Sequence, residues 1–186
     1  MGKKAAIFGA TLSLIAEEGL HAVTLAKILD RADVGSGTLY NYFSSKDALL
    51  YEMYLKLTEK MANYILSDYD DSVGVRLRFN QLLTRFMEYM IQNFDEQIFI
   101  EQYSYILRKS KPDDSVFNNP FRTATAQIYT EGQKQKVILN LDIPILNQIA
   151  GGIIISIVKG YKSNKYELDE LTKQKILDIC WNSIRA

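Results

Sequence analysis

The chain has 186 residues, of which 47% are hydrophobic and 24% are charged, a balance typical of a folded globular protein rather than a disordered one. Its 22 basic side chains equal its 22 acidic ones, so bulk charge does not point to a nucleic-acid partner. A single cysteine and a single histidine argue against a disulfide framework, a metal site or a Ser-His relay, and only three prolines favour long helices.

The first third of the chain is predicted to form four helices. Apolar residues recur at helical spacing from residue 7 onward, and Gly19 marks the end of this first helix. Thr24 is placed to cap a short second helix, and a four-residue break separates it from a third helix over residues 36–42. The fourth helix begins near Lys46 and runs for about 20 residues, or roughly 30 Å, to Leu66.

The remaining two-thirds of the chain also has a helical period. After a polar joint at residues 67–74, five further helices are predicted, over about residues 75–94, 98–107 and 121–132, from Asp142 onward, and over 169–184. A polar segment with two prolines, residues 108–120, is predicted to be a loop. Only residues 137–141 suggest a strand. We therefore predict an all-α protein of about nine helices.

The second and third helices follow the plan of a helix-turn-helix, because both are short and a four-residue break joins them. The second helix of such a pair can lie in the major groove of DNA, where hydroxyl and amide side chains reach base edges and phosphates. The polar residues on this helix are Ser36, Thr38, Asn41 and Tyr42. Gly37 lets the helix N-terminus approach the phosphate backbone, and Lys46 is placed to hold a phosphate beside it.

The segment TLAKILDRADVGSGTLYNYFSSKDALL resembles the DNA-binding signature of the TetR family of bacterial transcription regulators. The matching core is VGSGTLYNYF, at residues 34–43, and the resemblance covers about residues 5–52. The chain departs from the family pattern at Asp33, which replaces the usual turn glycine, and at Leu29, where a smaller residue is usual. Aspartate tolerates left-handed geometry better than most residues, so we expect the turn to be kept.

The resemblance implies a helix-turn-helix DNA-binding domain over residues 1–46 and a larger ligand-binding and dimerisation domain over residues 47–186. The residues expected to bind DNA are Thr24, Ser36, Gly37, Thr38, Tyr40, Asn41, Tyr42 and Lys46. Tyr40 is equally compatible with the core of the small domain, and Thr24 is a helix cap before it is a phosphate contact. That core is expected to contain Leu25, Ile28, Val34, Leu39 and Phe43.

Phenylalanine and tyrosine are abundant between residues 75 and 132. Aromatic residues most often form a core, but the resemblance implies a ligand cavity, and such cavities are mostly apolar with a few polar groups. The cavity is predicted to be lined by Phe86, Tyr89, Met90, Phe99, Gln102, Tyr103 and Tyr129. Its expected occupant is an apolar or aromatic small molecule, because this region has no glycine-rich phosphate loop and no histidine.

Small residues recur at a spacing of four at Gly152, Ser156 and Gly160. A glycine inside a helix costs about 1 kcal/mol relative to alanine, so two in one stripe indicate a close contact. Together with the last helix, this stripe matches the four-helix dimer interface of the family. The interface is predicted to contain Ile149, Gly152, Ile153, Ser156, Gly160, Leu177 and Trp181. The alternative is a helix buried in the core of a monomer.

These observations predict a cytoplasmic homodimer that represses transcription from a palindromic double-stranded DNA operator and is released by a small-molecule effector. In the alternative, a small-molecule-binding helical protein uses its helix-turn-helix to contact protein, and the neutral charge of residues 1–50 favours this reading. We expect no cofactor, no metal and no enzymatic activity, because His21 and Cys180 have no acid–base partner near them in sequence. We also expect no membrane span, since the apolar run at residues 149–158 is too short.

Overall fold

The computed structural model describes residues 2–110 and 117–186, and these residues form nine α-helices and no β-strand. The helices are α1 (Lys3–Glu18), α2 (Leu25–Ala32), α3 (Ser36–Tyr42), α4 (Lys46–Leu66), α5 (Val75–Gln92), α6 (Phe94–Ser110), α7 (Pro120–Lys134), α8 (Ile143–Lys162) and α9 (Glu170–Asn182). The predicted all-α class is therefore confirmed. The predicted loop at 108–120 begins too early, since α6 continues to Ser110, and residues 111–116 lie outside the described part of the chain.

The helix starts depend on local capping. The hydroxyl of Thr24 accepts a hydrogen bond from the Lys27 N–H at 3.3 Å, as its position predicts. The carboxylate of Asp169 accepts one from the Thr172 N–H at 2.8 Å and starts α9 in the same way. Asp142 stands at the N-cap of α8, but its side chain makes no capping bond; Pro144 in the first turn needs none, because it has no N–H.

The contacts divide the chain into two compact units. The first unit contains the described residues up to 60 and those of 93–117, so α6 belongs with the N-terminal helices and packs on α1. Ile28, Leu39 and Phe43 are buried in this unit as predicted, whereas Leu25 and Val34 are only half-buried. The interior also contains Ile7, Leu14, Ile15, Val23, Leu49, Met53 and Phe99.

The second unit contains residues 61–92 and 118–186, with the end of α4 and helices α5, α7, α8 and α9. The ring of Phe79 packs edge-on against Trp181, with 5.4 Å between the ring centroids. The suspected strand at 137–141 is limited to one antiparallel bridge between Ile138 and Arg185. This bridge holds the end of the chain against the segment between α7 and α8.

Candidate nucleic-acid interface

The turn between α2 and α3 is built on Asp33, which has left-handed backbone angles of φ 50° and ψ 53°. Its N–H donates to the Asp30 carbonyl at 3.2 Å, and the next N–H, of Val34, donates to the Leu29 carbonyl at 3.1 Å. These bonds satisfy the last carbonyls of α2 in the way that a glycine usually allows. The turn is therefore kept despite the substitution, and α3 covers the residues predicted from the sequence.

The helix α3 buries one side and exposes the other. Leu39 is fully buried, while Tyr40 is 57% exposed and Tyr42 is 44% exposed. Tyr40 therefore belongs to the surface rather than to the core. Ser36, Gly37 and Asn41 are exposed as well, and Thr38 is half-buried. The result is a continuous polar and aromatic face on a short helix, which is the geometry that a major groove accepts.

The start of α4 lies beside the start of α2. The ammonium of Lys46 donates a hydrogen bond to the carbonyl of Val23, the residue before the Thr24 cap. An ammonium has three donors, so this bond leaves others for a phosphate. Sequence spacing placed Lys46 near the site, but it contained no signal for the Val23 bond, which depends on how the chain folds back.

Two basic side chains of this region, Arg31 and Lys27, are paired with carboxylates of α1. The guanidinium of Arg31 binds both carboxylate oxygens of Glu17, at 2.8 Å and 2.9 Å, and also the Ser13 hydroxyl at 2.8 Å. This hydrogen bonding lowers the pKa of Glu17 to about 2 and raises the pKa of Arg31. The ammonium of Lys27 also forms an ion pair with the carboxylate of Glu18. Part of the neutral charge of this region therefore consists of local ion pairs.

The seven residues predicted to line a ligand cavity fall in both units. Phe99, Gln102 and Tyr103 belong to the first unit, and the other four, Phe86, Tyr89, Met90 and Tyr129, belong to the second. All are buried except Gln102, which is exposed and accepts a long hydrogen bond of 3.4 Å from the Leu20 N–H. Burial raises the pKa of Tyr103 to about 12 and also raises that of Tyr129, so both phenols stay neutral donors.

Among the described residues of the second unit, Tyr69 lines two surface clefts. One, of about 370 Å³, lies between the end of α4 and α5, and its lining includes Ile65, Leu77 and Asn80. The other, of about 550 Å³, lies at the start of α7. None of the seven predicted residues lines either cleft, so the assignment of the cavity stays a prediction.

The residues predicted for the dimer interface lie in two kinds of environment. A Cβ added at Gly152 would meet only the Gln148 amide nitrogen, at 3.8 Å, so the helix is open to space at this position in a single chain. A Cβ added at Gly160 would lie 2.1 Å from the Tyr166 hydroxyl oxygen. The remaining residues also differ, since Ser156 is exposed, Ile149, Ile153 and Leu177 are half-buried, and Trp181 is buried.

By length and composition, α8 passes the test for a membrane-spanning helix, with a mean hydropathy of 1.5, and 28% of that stretch is buried within the chain. Core helices of globular proteins pass the same test. Much of the apolar surface of α8 is thus not buried within the chain itself.

Two family models match the chain. A model of the bacterial regulatory proteins of the TetR family matches residues 7–53, which contain α2 and α3. A model of the tetracyclin repressor-like C-terminal domain matches residues 75–185, more than half of the chain. The chain therefore belongs to the TetR family of bacterial transcriptional regulators, and its helix-turn-helix is a DNA-binding element.

Individual relatives agree with this family. An HTH-type transcriptional regulator from Haemophilus influenzae is 22% identical over 180 residues, which cover 96% of this chain and 94% of the relative. A TetR-family transcription regulator from Shewanella sp. PV-4 has the same fold, with a TM-score of 0.82 and 20% identity over the whole of both chains. The fatty acid degradation regulator FadR from Bacillus halodurans has a TM-score of 0.71 and 20% identity, over 97% of this chain and 95% of that one.

Proposed function

We propose that the protein is a ligand-responsive repressor that binds a palindromic DNA operator as a homodimer, with α3 of each subunit in a major groove. The observation that carries the proposal is the exposure of Tyr40 and Tyr42 on α3. The proposed contacts are those predicted from the sequence, namely Thr24, Ser36, Gly37, Thr38, Tyr40, Asn41, Tyr42 and Lys46. Family membership favours DNA as the partner over the alternative of a protein.

The proposed dimer is formed by α8 and α9 in the cytoplasm. The open side of α8 at Gly152 and the low burial of its apolar surface support this interface. Two-fold symmetry would present two copies of α3 to half-sites about 34–36 Å apart. In the proposed division of labour, residues 1–46 bind DNA, and residues 47–186 bind the ligand and the second subunit.

The proposed effector is a small apolar or aromatic molecule. Buried tyrosine and phenylalanine side chains in both units support this class, since their rings are apolar and the phenols of Tyr103 and Tyr129 are neutral donors. The name of the FadR relative, a regulator of fatty acid degradation, is compatible with it. Such a ligand causes the protein to release DNA if it binds more tightly to the conformer whose two α3 helices no longer match the half-site spacing.

The test is selection of bound duplexes from random DNA, followed by affinity measurements on two variants. We expect the selected sequences to have two-fold symmetry. Thr38→Ala should change the preference at one position by about 1–3 kcal/mol if Thr38 reads a base edge. Lys46→Ala should weaken binding to selected and unselected DNA alike and reduce its salt dependence, because phosphate contacts are independent of sequence. Selection of no duplex, or of duplexes without symmetry, would contradict the proposal.

A further inference from the structure

A cluster of cations and aromatic rings joins three helices in the first unit, and we call it the Lys4 cluster. Its members come from the start of α1, the end of α3 and the middle of α4, and they are Lys4, Phe8, Tyr42, Phe43, Glu52 and Lys56. Residues this far apart in sequence have no shared motif. The cluster is therefore visible only in the folded chain.

The ammonium of Lys4 is the centre of the cluster. It lies 2.7 Å from the nearer carboxylate oxygen of Glu52, 5.9 Å from the ring centre of Tyr42 and 5.2 Å from that of Phe43. A cation within about 6 Å of an aromatic ring centre is attracted to the ring. One carboxylate and two rings thus hold the same ammonium.

A second set of contacts fixes the carboxylate and the rings. Phe8 stacks on Phe43 with 5.7 Å between the ring centroids. The ammonium of Lys56 lies 3.4 Å from Glu52 and 5.6 Å from the ring centre of Phe8. Hydrogen bonding to Lys4 holds the pKa of Glu52 below its usual range, and Lys56 adds to this effect. Glu52 is consequently an anion bound from two helices, and it anchors Lys4.

We propose that Lys4 and Glu52 are positioning residues for DNA binding, which hold the Tyr42 side chain in the orientation that meets the phosphate backbone. The inference rests on the proposed contact of Tyr42 with DNA. Tyr42 is the last residue of α3 and is 44% exposed, and besides Lys4 its ring meets that of Phe43, with 6.2 Å between the ring centroids. Immobilising such a side chain on binding costs conformational entropy, and an orientation set beforehand reduces that cost.

Lys3, the neighbour of Lys4, provides a control for the effect of charge alone. Lys3 is exposed, whereas Lys4 is half-buried among the groups just described. Lys3→Met and Lys4→Met remove the same charge one residue apart, so they form a matched pair. Removing a lysine that neutralises a phosphate lowers the salt dependence of DNA binding, whereas removing a positioning lysine does not.

The experiment measures the affinity of the full-length protein for the duplex selected from random DNA, at several salt concentrations. Lys4→Met should weaken binding by about 5- to 30-fold, the effect of losing one surface cation–π contact in each of two subunits. Lys4→Arg should bind like the wild type, because it keeps both contacts. In a Tyr42→Ala background, Lys4→Met should have almost no further effect, and its salt slope should equal that of its parent.

Glu52→Gln is an independent test, because the inference and the alternative, simple repulsion of the phosphates by Glu52, predict opposite changes in DNA affinity. If Glu52 only repels the phosphates, its neutralisation tightens DNA binding. If it anchors Lys4, binding weakens, although a negative charge has been removed. Far-UV circular dichroism and the melting temperature of each variant establish that the fold is kept.

Three results would overturn the inference. The first is a loss of affinity in the Lys4→Met, Tyr42→Ala double variant equal to the sum of the two single losses. The second is a salt slope that falls for Lys4→Met as much as it falls for Lys3→Met. The third is unchanged or tighter DNA binding by Glu52→Gln. If Tyr42→Ala alone leaves the affinity unchanged, the proposed DNA contact of Tyr42 fails and the inference fails with it. If Tyr42→Ala weakens binding and Lys4→Met does not, only the inference fails.

Discussion

The left-handed backbone of Asp33 shows how a single side chain can replace a turn glycine. At φ 50°, most residues with a Cβ are strained, and aspartate and asparagine are among the few that visit this region regularly. The turn that separates α2 from α3 thus has some residual strain. Its size is set by the residue at position 33 rather than by packing, because Asp33 is exposed.

Substitutions at Asp33 should therefore change stability in both directions. Asp33→Gly should raise the free energy of unfolding by up to about 1 kcal/mol, and Asp33→Val should lower it by about 1–2 kcal/mol. Asp33→Asn, which has similar backbone preferences without the charge, is the matched control and should change little. Urea unfolding measures all three. Equal stability of the glycine and valine variants would show that the turn is not strained.

The Arg31–Glu17 pair predicts a pH dependence of stability. Because the pKa of Glu17 falls from 4.5 to about 2 on folding, the stabilisation by the pair is complete above about pH 4.5 and is lost as the pH falls toward 2. Both side chains are exposed, so solvent screening keeps the effect small. The difference in urea midpoint between wild type and Glu17→Gln should be constant near neutral pH and shrink below pH 4.5. A difference that does not vary with pH would contradict this.

The parts of the fold that local residues determine could be predicted from the sequence. Thr24, the break at Asp33 and the start of α4 are set by residues within one turn of each other, so α3 could be predicted to its end residues. The exposure of Tyr40 and the Val23 partner of Lys46 depend on how helices pack. Nothing in the spacing of the residues contains that information.

At the scale of a helix, the small residues of α8 have two different causes. The hydroxyl of Tyr166 donates to the Ile157 carbonyl at 2.8 Å and lies over Gly160, so this glycine makes room for a residue of its own chain. Gly152 faces open space. A spacing of four predicts that small residues share a face, but it cannot distinguish a contact within the chain from one between chains.

Variants of the two glycines should therefore behave differently. Gly152→Leu should yield a helical monomer, since overpacking costs about 1–3 kcal/mol per subunit and two-fold symmetry applies the cost twice. Gly160→Ala should lower the melting temperature, because its Cβ would overlap Tyr166. Sedimentation and far-UV circular dichroism separate the two effects. A Gly152→Leu variant that stays dimeric would place the interface elsewhere.

At the scale of the whole molecule, the division into units was beyond prediction. The apolar face of α6 was evident from its period, but the sequence did not show that this helix packs with α1. Periodicity identifies which side of a helix is buried and not the element that buries it. The proposed boundary between residues 46 and 47 separates the DNA-binding part from the ligand-binding part. The two units are instead defined by which residues contact one another.

The class of effector can be tested on the intact protein. A compound that binds the folded state raises the melting temperature at concentrations well above its dissociation constant. We expect this for fatty acyl or aromatic compounds and not for sugar phosphates or divalent metals. The same compounds should weaken DNA binding, because the two equilibria are coupled. Stabilisation by sugar phosphates or metals alone would contradict the prediction.

The ion pairs of Lys27, Arg31 and Lys4 bear on how the protein searches a chromosome. Affinity for arbitrary DNA comes almost entirely from cations that neutralise phosphates, and these three are already bound to Glu18, Glu17 and Glu52. A genome offers on the order of a million or more competing sites. Each cation that is already paired with a carboxylate adds less to binding at those sites. More copies then diffuse freely, and a small number of molecules per cell suffices to keep one operator occupied.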